Sequence, residues 1–238
     1  MANPRPNKRQ LSEPTISRLP VYQRIAESWE SRGRVAIDSS QLGELAGVTP
    51  TTVRRDLAAL GSFGLRGSGY DVSTLRERIA DALGHDREYG VVVVGIGNLG
   101  RALVNSSNFL TRGANLVGVY DKDPSVIGTE VAGLLVQDLA SPIVSATVAV
   151  LCVPPAEAQA VADRLVEQGI RAFLNFAPQV IALPPGCAVH YVDFSIELQI
   201  LMYHVNNGTG PLGGGVLHSL GITANSARRN IQRNFEKS

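Results

Sequence analysis

Residues 91–100 read Val-Val-Val-Val-Gly-Ile-Gly-Asn-Leu-Gly. Four β-branched residues in a row form a strand buried on both faces. The GxGxxG that follows is a turn by which such a strand passes into a helix around a phosphate. Gly95 takes the tight turn, Gly97 lets the backbone approach a pyrophosphate, and Gly100 lets the helix pack on the strand. A helix opening at Asn98, with Leu99, Ala102 and Leu103 as its apolar positions, aims its unpaired N–H groups at the anion. The next strand, residues 116–120, ends in Asp121, where an acid hydrogen-bonds the adenosine ribose and repels a 2′-phosphate. That selects NAD over NADP. An isolated GxGxxG still leaves open a structural loop or a site for another nucleotide.

The motif begins far into the chain, and the residues before it have their own pattern. Residues 19–29 carry Val21, Ile25 and Trp29 at helical spacing, and Gly33 stops the helix. After the short segment Val35-Ala36-Ile37, Ser39 or Ser40 caps a helix holding Leu42, Leu45 and Ala46. Gly47-Val48 turns the chain, and Thr49-Pro50 opens a third helix with Thr49 as N-cap. This is helix-turn-helix spacing. Val53, Leu57 and Leu60 face inward, so Thr51, Thr52, Arg54 and Arg55 are the side chains offered to base edges and phosphates in a major groove. Residues 61–72 read as a glycine-rich hairpin, a wing that carries Arg66 toward a phosphate or minor groove. The bland alternative for all three arginines is a solvated basic face.

Charge agrees with that division. Residues 1–80 hold 12 Lys+Arg against 8 Asp+Glu, and the remainder holds 10 against 13. The basic surplus lies in the half with the helix-turn-helix, which favours contact with a polyanion. With 238 residues and 44% apolar content the chain buries a sizeable core in two domains. No apolar run approaches the roughly 20 residues that span a bilayer. The first eleven residues lack the apolar stretch of a secretory signal, so the expected compartment is the cytoplasm. Cys152 and Cys187 fit neither a zinc site nor a redox pair, and no metal site is expected.

Beyond Asp121 the pattern completes one doubly wound, mostly parallel sheet. A short helical stretch follows Pro124, then strands at 134–136, 147–153, 172–176 and 188–192, with a helix over 156–168. Residues 90–205 amount to about 115 residues, the size of one domain. A dehydrogenase needs more chain to hold its substrate. His85, His190, His204 and His218 fall in no ligand or triad pattern, and Ser106-Ser107 lacks a nucleophile-elbow context. No catalytic residue is assigned.

Taken in order, these pieces resemble the Rex-family redox-sensing transcriptional repressors. The likeness runs over residues 14–206, through Ile16-Ser17-Arg18-Leu19-Pro20, Val53-Arg54-Arg55-Asp56-Leu57 and Arg66-Gly67-Ser68-Gly69-Tyr70. It continues through the glycine turn, Tyr120-Asp121-Lys122-Asp123-Pro124, Leu174-Asn175-Phe176-Ala177-Pro178 and Val192-Asp193-Phe194. It implies a homodimer that binds a pseudo-palindromic operator in double-stranded DNA when NADH is low and leaves it when NADH binds. Thr51, Thr52, Arg54, Arg55, Arg66 and Tyr70 would meet DNA. Gly95, Gly97, Asn98, Leu99, Gly100, Asp121, Lys122, Pro154, Asn175, Phe176, Ala177 and Phe194 would hold NADH or NAD+. A helix over 194–205 would cross to the partner subunit, and Arg24 would pair with Asp193 in one of the two states.

The implied domains are a tail (1–14), a winged helix (15–88), a Rossmann domain (89–193), the crossing helix (194–205) and an extension (206–238). The extension reads as a flexible appendage, in which the pattern of residues 216–235 allows a further basic helix through Arg228, Arg229 and Arg233. Many relatives have tyrosine where this chain has Ser106 and lysine where it has Arg55, and Arg101 adds a cation beside the glycine turn. The alternatives are a DNA-binding regulator that keeps the dinucleotide as a structural ligand, or a small NAD-dependent oxidoreductase.

Overall fold

A proline in the first turn of a helix lacks only an N–H that would have no partner there. Pro14 has that place in α1 (Glu13–Glu30), with Glu13 at the positive end of the helix dipole. The helix therefore starts upstream of the apolar stripe that begins at residue 19, and Pro20, which resembles a start signal, lies inside it. The computed structural model describes residues 11–64, 69–85, 87–106, 109–110 and 113–208. It divides into two units, Met1–His85 with Ile196–Ser238, and Asp86–Ser195.

In the first unit β1 (Ala36–Ile37) leads into α2 (Ser39–Ala46). The cap of α2 is Asp38 and not Ser39 or Ser40. Its carboxylate accepts the N–H groups of Ser40 and Gln41 at 2.7 and 2.8 Å, while Gln41 accepts the Asp38 N–H at 3.1 Å. An ionised acceptor makes the stronger cap bond, and the glutamine closes the capping box. Gly47 ends α2 in the left-handed region at φ 69°. α3 (Pro50–Ala58) follows, and Thr49 Oγ1 accepts the Thr52 N–H at 3.1 Å, as the sequence leads one to expect. The α2–α3 approach is close: a Cβ on Gly43 would lie 2.7 Å from the Val48 carbonyl oxygen.

The second arm of the glycine-rich ribbon is β2 (Tyr70–Asp71), and its partner is β1, antiparallel, with Ile37 opposite Tyr70. The described residues of the first arm, 61–64, lie outside any strand. A fourth helix that the sequence reading missed, α4 (Val72–Leu83), is capped by Asp71, whose Oδ1 accepts the Thr74 N–H at 2.8 Å. Its Val72, Leu75 and Ile79 close a core with Leu19, Tyr22, Leu42, Val53 and Leu57. Each such side chain contributes about 1.5–3 kcal/mol by leaving water.

The second unit contains β3 (Tyr89–Val94), α5 (Asn98–Val104), β4 (Ala114–Asp121), β5 (Glu130–Val131), β6 (Leu134–Asp138), β7 (Val148–Leu151), α6 (Pro155–Glu167), β8 (Ala172–Asn175) and β9 (Ala188–Tyr191). The sheet order is β5-β6-β4-β3-β7-β8-β9, parallel throughout except for β5. Strand order reverses between β3 and β7. Val92, Val94, Ala149 and Leu151 pack with α6, while Val91, Val93 and Val150 pack with Val104 of α5 on the other face. The sheet is doubly wound.

The stretch after Pro124 is a turn and not a helix. Asp123 accepts the Ser125 N–H and hydroxyl at 2.8 and 2.7 Å, which draws the backbone into a local loop. The hairpin β5–β6 was also not foreseen. Its two linking residues, Ala132 and Gly133, have φ of 50° and 78°, the conformation that suits a two-residue hairpin loop.

The last described element, α7 (Phe194–Asn206), has no buried residue. Phe194 is 64% exposed and Val205 78%, with Ile196, Leu198, Met202 and Tyr203 also exposed.

Candidate functional site

In an open α/β sheet, ligands bind beyond the carboxyl ends of the strands where strand order reverses. The sequence-derived nucleotide residues gather there, because Val94 pairs with both Tyr120 and Leu151, and Leu151 with Asn175. The three glycines are separately constrained. Gly95 has φ 92°, and a Cβ on it would lie 2.6 Å from the Cys152 carbonyl oxygen. A Cβ on Gly100 would lie 2.0 Å from the Gly95 carbonyl oxygen, so α5 packs here only without one. Around Gly97 no atom of the described residues comes within 4 Å of such a Cβ. Gly97 and Asn98 are exposed, Leu99 half-buried and Gly100 buried. Two of the glycines are needed by the fold, and the middle one borders open space.

Asp121 is tied to this turn. Its Oδ2 accepts the Ile96 N–H at 2.6 Å, and its Oδ1 accepts the N–H groups of Lys122 and Asp123 at 2.7 and 3.0 Å. A carboxylate has about four acceptor sites, so Asp121 orders the turn and keeps acceptor capacity. The exposed Lys122 ammonium donates to Glu157 of α6 at 2.7 Å. Arg101 Nη2 reaches Thr129 Oγ1 at 3.3 Å. Ser106 lies two residues past Val104, the last residue of α5, at the opposite end of the helix from Asn98.

Toward β8 the expected residues part company. Asn175 is fully buried and serves the chain itself: its Oδ1 accepts the Ala177 N–H at 2.9 Å and its Nδ2 donates to the Gln179 carbonyl at 3.0 Å. Ala177 is buried in the core on the α6 face. Phe176 packs on the other face, and its ring meets that of Phe194 with centroids 6.1 Å apart. Pro154 is exposed at the start of α6. Asp193 Oδ1 accepts the Ser195 N–H and hydroxyl at 2.8 and 2.6 Å, holding the start of α7. Arg24 is exposed on α1, in the other unit.

On α3, Thr51, Arg54 and Arg55 are exposed and Thr52 half-buried, while Val53, Asp56 and Leu57 are buried. The outward and inward sets are those of the sequence reading, with Asp56 added to the inner one. Arg54 is held in place: Nη1 donates to Ser39 Oγ at 2.9 Å and Nη2 to Thr51 Oγ1 at 3.1 Å. Tyr70 is half-buried at the base of the ribbon, its ring 5.6 Å from that of Phe63. Burial raises its hydroxyl pKa, against an opposing effect of the Arg54 charge. Arg66 and residues 209–238, with the basic stretch around Arg228, lie outside the described residues.

The main group missed by the sequence reading is under α3. Asp56, 0% exposed, accepts from Arg18 Nε at 2.6 Å and Nη2 at 2.8 Å, from the Tyr22 hydroxyl at 2.9 Å and from the Thr15 hydroxyl at 3.0 Å. Burial alone would raise its pKa, but the hydrogen bonds and charge of Arg18, with Tyr22 and Thr15, hold it below the ordinary carboxylate range. Burial, then the Asp56 charge, push the Tyr22 hydroxyl up. The available signal was an aspartate within an otherwise apolar inward stripe.

Burial pushes the Cys152 thiol up to about 12, so it stays protonated and is a poor nucleophile. Among the described residues no group of His, Cys, Asp or Glu is placed to hold a metal ion, and no helix is long and apolar enough to cross a membrane.

A helix-turn-helix unit with an arginine-bearing outer face, joined to a Rossmann unit with a glycine cradle at its switch point, defines a DNA-binding regulator with a nucleotide-binding domain. Residues 10–58 match a family model described as a putative DNA-binding protein N-terminus, and residues 86–179 one described as a CoA binding domain. The chain is 42% identical over 212 residues to the redox-sensing transcriptional repressor Rex of Streptomyces griseus subsp. griseus, covering 87% of this chain and 84% of that one. It therefore belongs to the Rex family of redox-sensing transcriptional repressors, whose members are named as repressors and not as enzymes. Among solved structures it is similar to RSP in complex with β-NAD+ and operator DNA, with TM-score 0.79 and 34% identity over 84% of this chain and 94% of that one. RSP in complex with β-NADH gives TM-score 0.76 and 32% identity over 83% and 95%.

Proposed function

We propose that the chain is a homodimeric repressor that holds operator DNA through α3 and the ribbon and is released when NADH occupies the cradle of the Rossmann unit. The observation that carries this is the open space at Gly97, at a sheet's switch point, in a chain whose other unit turns Thr51, Arg54 and Arg55 outward. Gly95, Gly97, Asn98, Leu99 and Gly100 receive the pyrophosphate, and Asp121 with Lys122 the adenosine ribose. Phe176 and Phe194, with Pro154, make an apolar surround for the nicotinamide, while Asn175 and Ala177 shape the backbone beneath it. Such a surround favours the neutral reduced ring, because desolvating the cationic oxidised ring costs more.

The apolar surface of α7 supports dimerisation. A helix that exposes this many large apolar side chains is not stable as an outer surface in water. In this reading α7 crosses to the second copy and brings Phe194 to the partner's nicotinamide, and Arg24 pairs with Asp193 in one of two subunit arrangements. The two recognition helices then fit successive major grooves, about 34 Å apart, in one arrangement only. NADH shifts the population because it binds the other arrangement more tightly; equal affinity for both would shift nothing. A regulator of this kind works where its operator lies, in the cytoplasm.

The test is a fluorescence-anisotropy titration of operator DNA with the full chain, repeated with NADH and NAD+. NADH is expected to weaken binding and NAD+ to leave it. Equal DNA affinity with both forms would leave the dinucleotide as a structural ligand and overturn the sensing reading.

A further inference from the structure

The sequence around the end of β4 alternates in sign, Asp121-Lys122-Asp123, and the structure adds Glu157 from the first turn of α6. Three carboxylates against one ammonium leave this corner of the cradle at a formal charge of −2. The two aspartates are engaged locally: Asp121 takes the N–H groups of Ile96, Lys122 and Asp123, and Asp123 takes the N–H and hydroxyl of Ser125. The hydrogen bonds from Ser125 hold the Asp123 carboxyl below its ordinary range, so it remains charged. The Lys122 side chain turns to Glu157, 2.7 Å away, and joins the loop after β4 to the start of α6. These two elements flank the strand that carries the glycine turn, since β4 and β7 lie on either side of β3.

An adenosine 2′-phosphate, were one present, would meet this corner, because the ribose hydroxyls lie at the acid that ends the second strand. A cation close to that acid is what lets a Rossmann unit accept the phosphate. Lys122 is such a cation by position, but its charge is already matched by Glu157. We propose that Glu157 is a specificity-determining residue, which by holding Lys122 makes the cradle reject 2′-phosphorylated dinucleotides and answer to NADH and not NADPH. This rests on the dinucleotide reading above and extends it to a residue without a nucleotide contact. Glu157 acts through Lys122 and is a positioning residue.

The experiment measures NADH and NADPH affinities of the full chain by titrating the fluorescence of the reduced nicotinamide, for the wild type, Glu157→Gln, and Glu157→Gln combined with Lys122→Met. The wild type is expected to prefer NADH. Glu157→Gln is expected to lower the NADH-to-NADPH affinity ratio by about three- to fivefold, the size of effect that an exposed charge pair carries. The double variant is expected to restore the wild-type ratio, and the effect of Glu157→Gln is expected to shrink at high salt. A purely structural pair would change melting temperature and leave the ratio alone. An unchanged ratio in Glu157→Gln, or a gain that survives Lys122→Met, overturns the inference while leaving NADH binding intact. A wild type that binds neither nucleotide overturns the dinucleotide reading, and the inference with it.

Discussion

Two short helices, α3 in the first unit and α5 in the second, are held by opposite means. α3 is anchored by charge: Asp56, on its inner face, is buried against Arg18, 38 residues earlier in the chain. α5 is anchored by the absence of side chains: Gly100 lets it lie directly on the Gly95 carbonyl. α3 therefore depends on ionisation and on a distant partner. The cradle helix depends on volume within one short motif.

Removing the charge anchor has the largest expected effect. Asp56→Ala leaves the Arg18 guanidinium buried without its partner, and a broken buried pair costs about 3–5 kcal/mol. Chemical denaturation followed by Trp29, the one tryptophan and a core residue of the first unit, is expected to show that loss. A change below about 1 kcal/mol would mean that α3 is held by apolar packing, as α5 is.

Acid tests the same contrast without mutation. The pKa of Asp56 is depressed in the folded chain, so its contribution is full above the ordinary value of 3.8 and is lost as pH falls through the folded value. On acidification below about pH 4 the Trp29 signal is expected to change before the far-UV circular dichroism of the sheet is lost. Coincident transitions would remove the distinction between the units.

On the steric side, Gly100→Ala sets a methyl 2.0 Å from a backbone oxygen. It is expected to cost about 1–3 kcal/mol, as overpacking does, and to abolish NADH binding in a fluorescence titration. Gly97→Ala has the smallest expected effect on stability, within about 0.5 kcal/mol, because nothing described lies near the added carbon and φ is −74°. Its NADH affinity is still expected to fall about tenfold or more, because in the proposed function the methyl enters the space that receives the pyrophosphate. Unchanged affinity would assign that space to something other than the dinucleotide.

The same contrast explains which features were readable beforehand. The cradle was legible because all its demands fall between residues 91 and 121 and each is met by a residue type. The α3 cap was legible for the same reason, as Thr49-Pro50 is a local signal. At α2 two serines stood beside Asp38, and only geometry shows that the carboxylate takes the N–H groups. The turn after Pro124 and the hairpin around Ala132 went unread because a short run with little periodicity says nothing about which strand edge it will meet. Asn175 and Ala177 came from a motif, and the motif does not say that the asparagine faces inward.

Local sequence, then, determined the two kinds of unit, the glycine turn and the outward face of α3, because those follow from periodicity, caps and the space a side chain occupies. Tertiary structure alone decided that Arg18 meets Asp56, that Lys122 is taken by Glu157, and that α7 reaches its end with its apolar residues exposed. Each of these depends on groups far apart in the chain, and a pattern of nearest neighbours has no means of expressing such a distance.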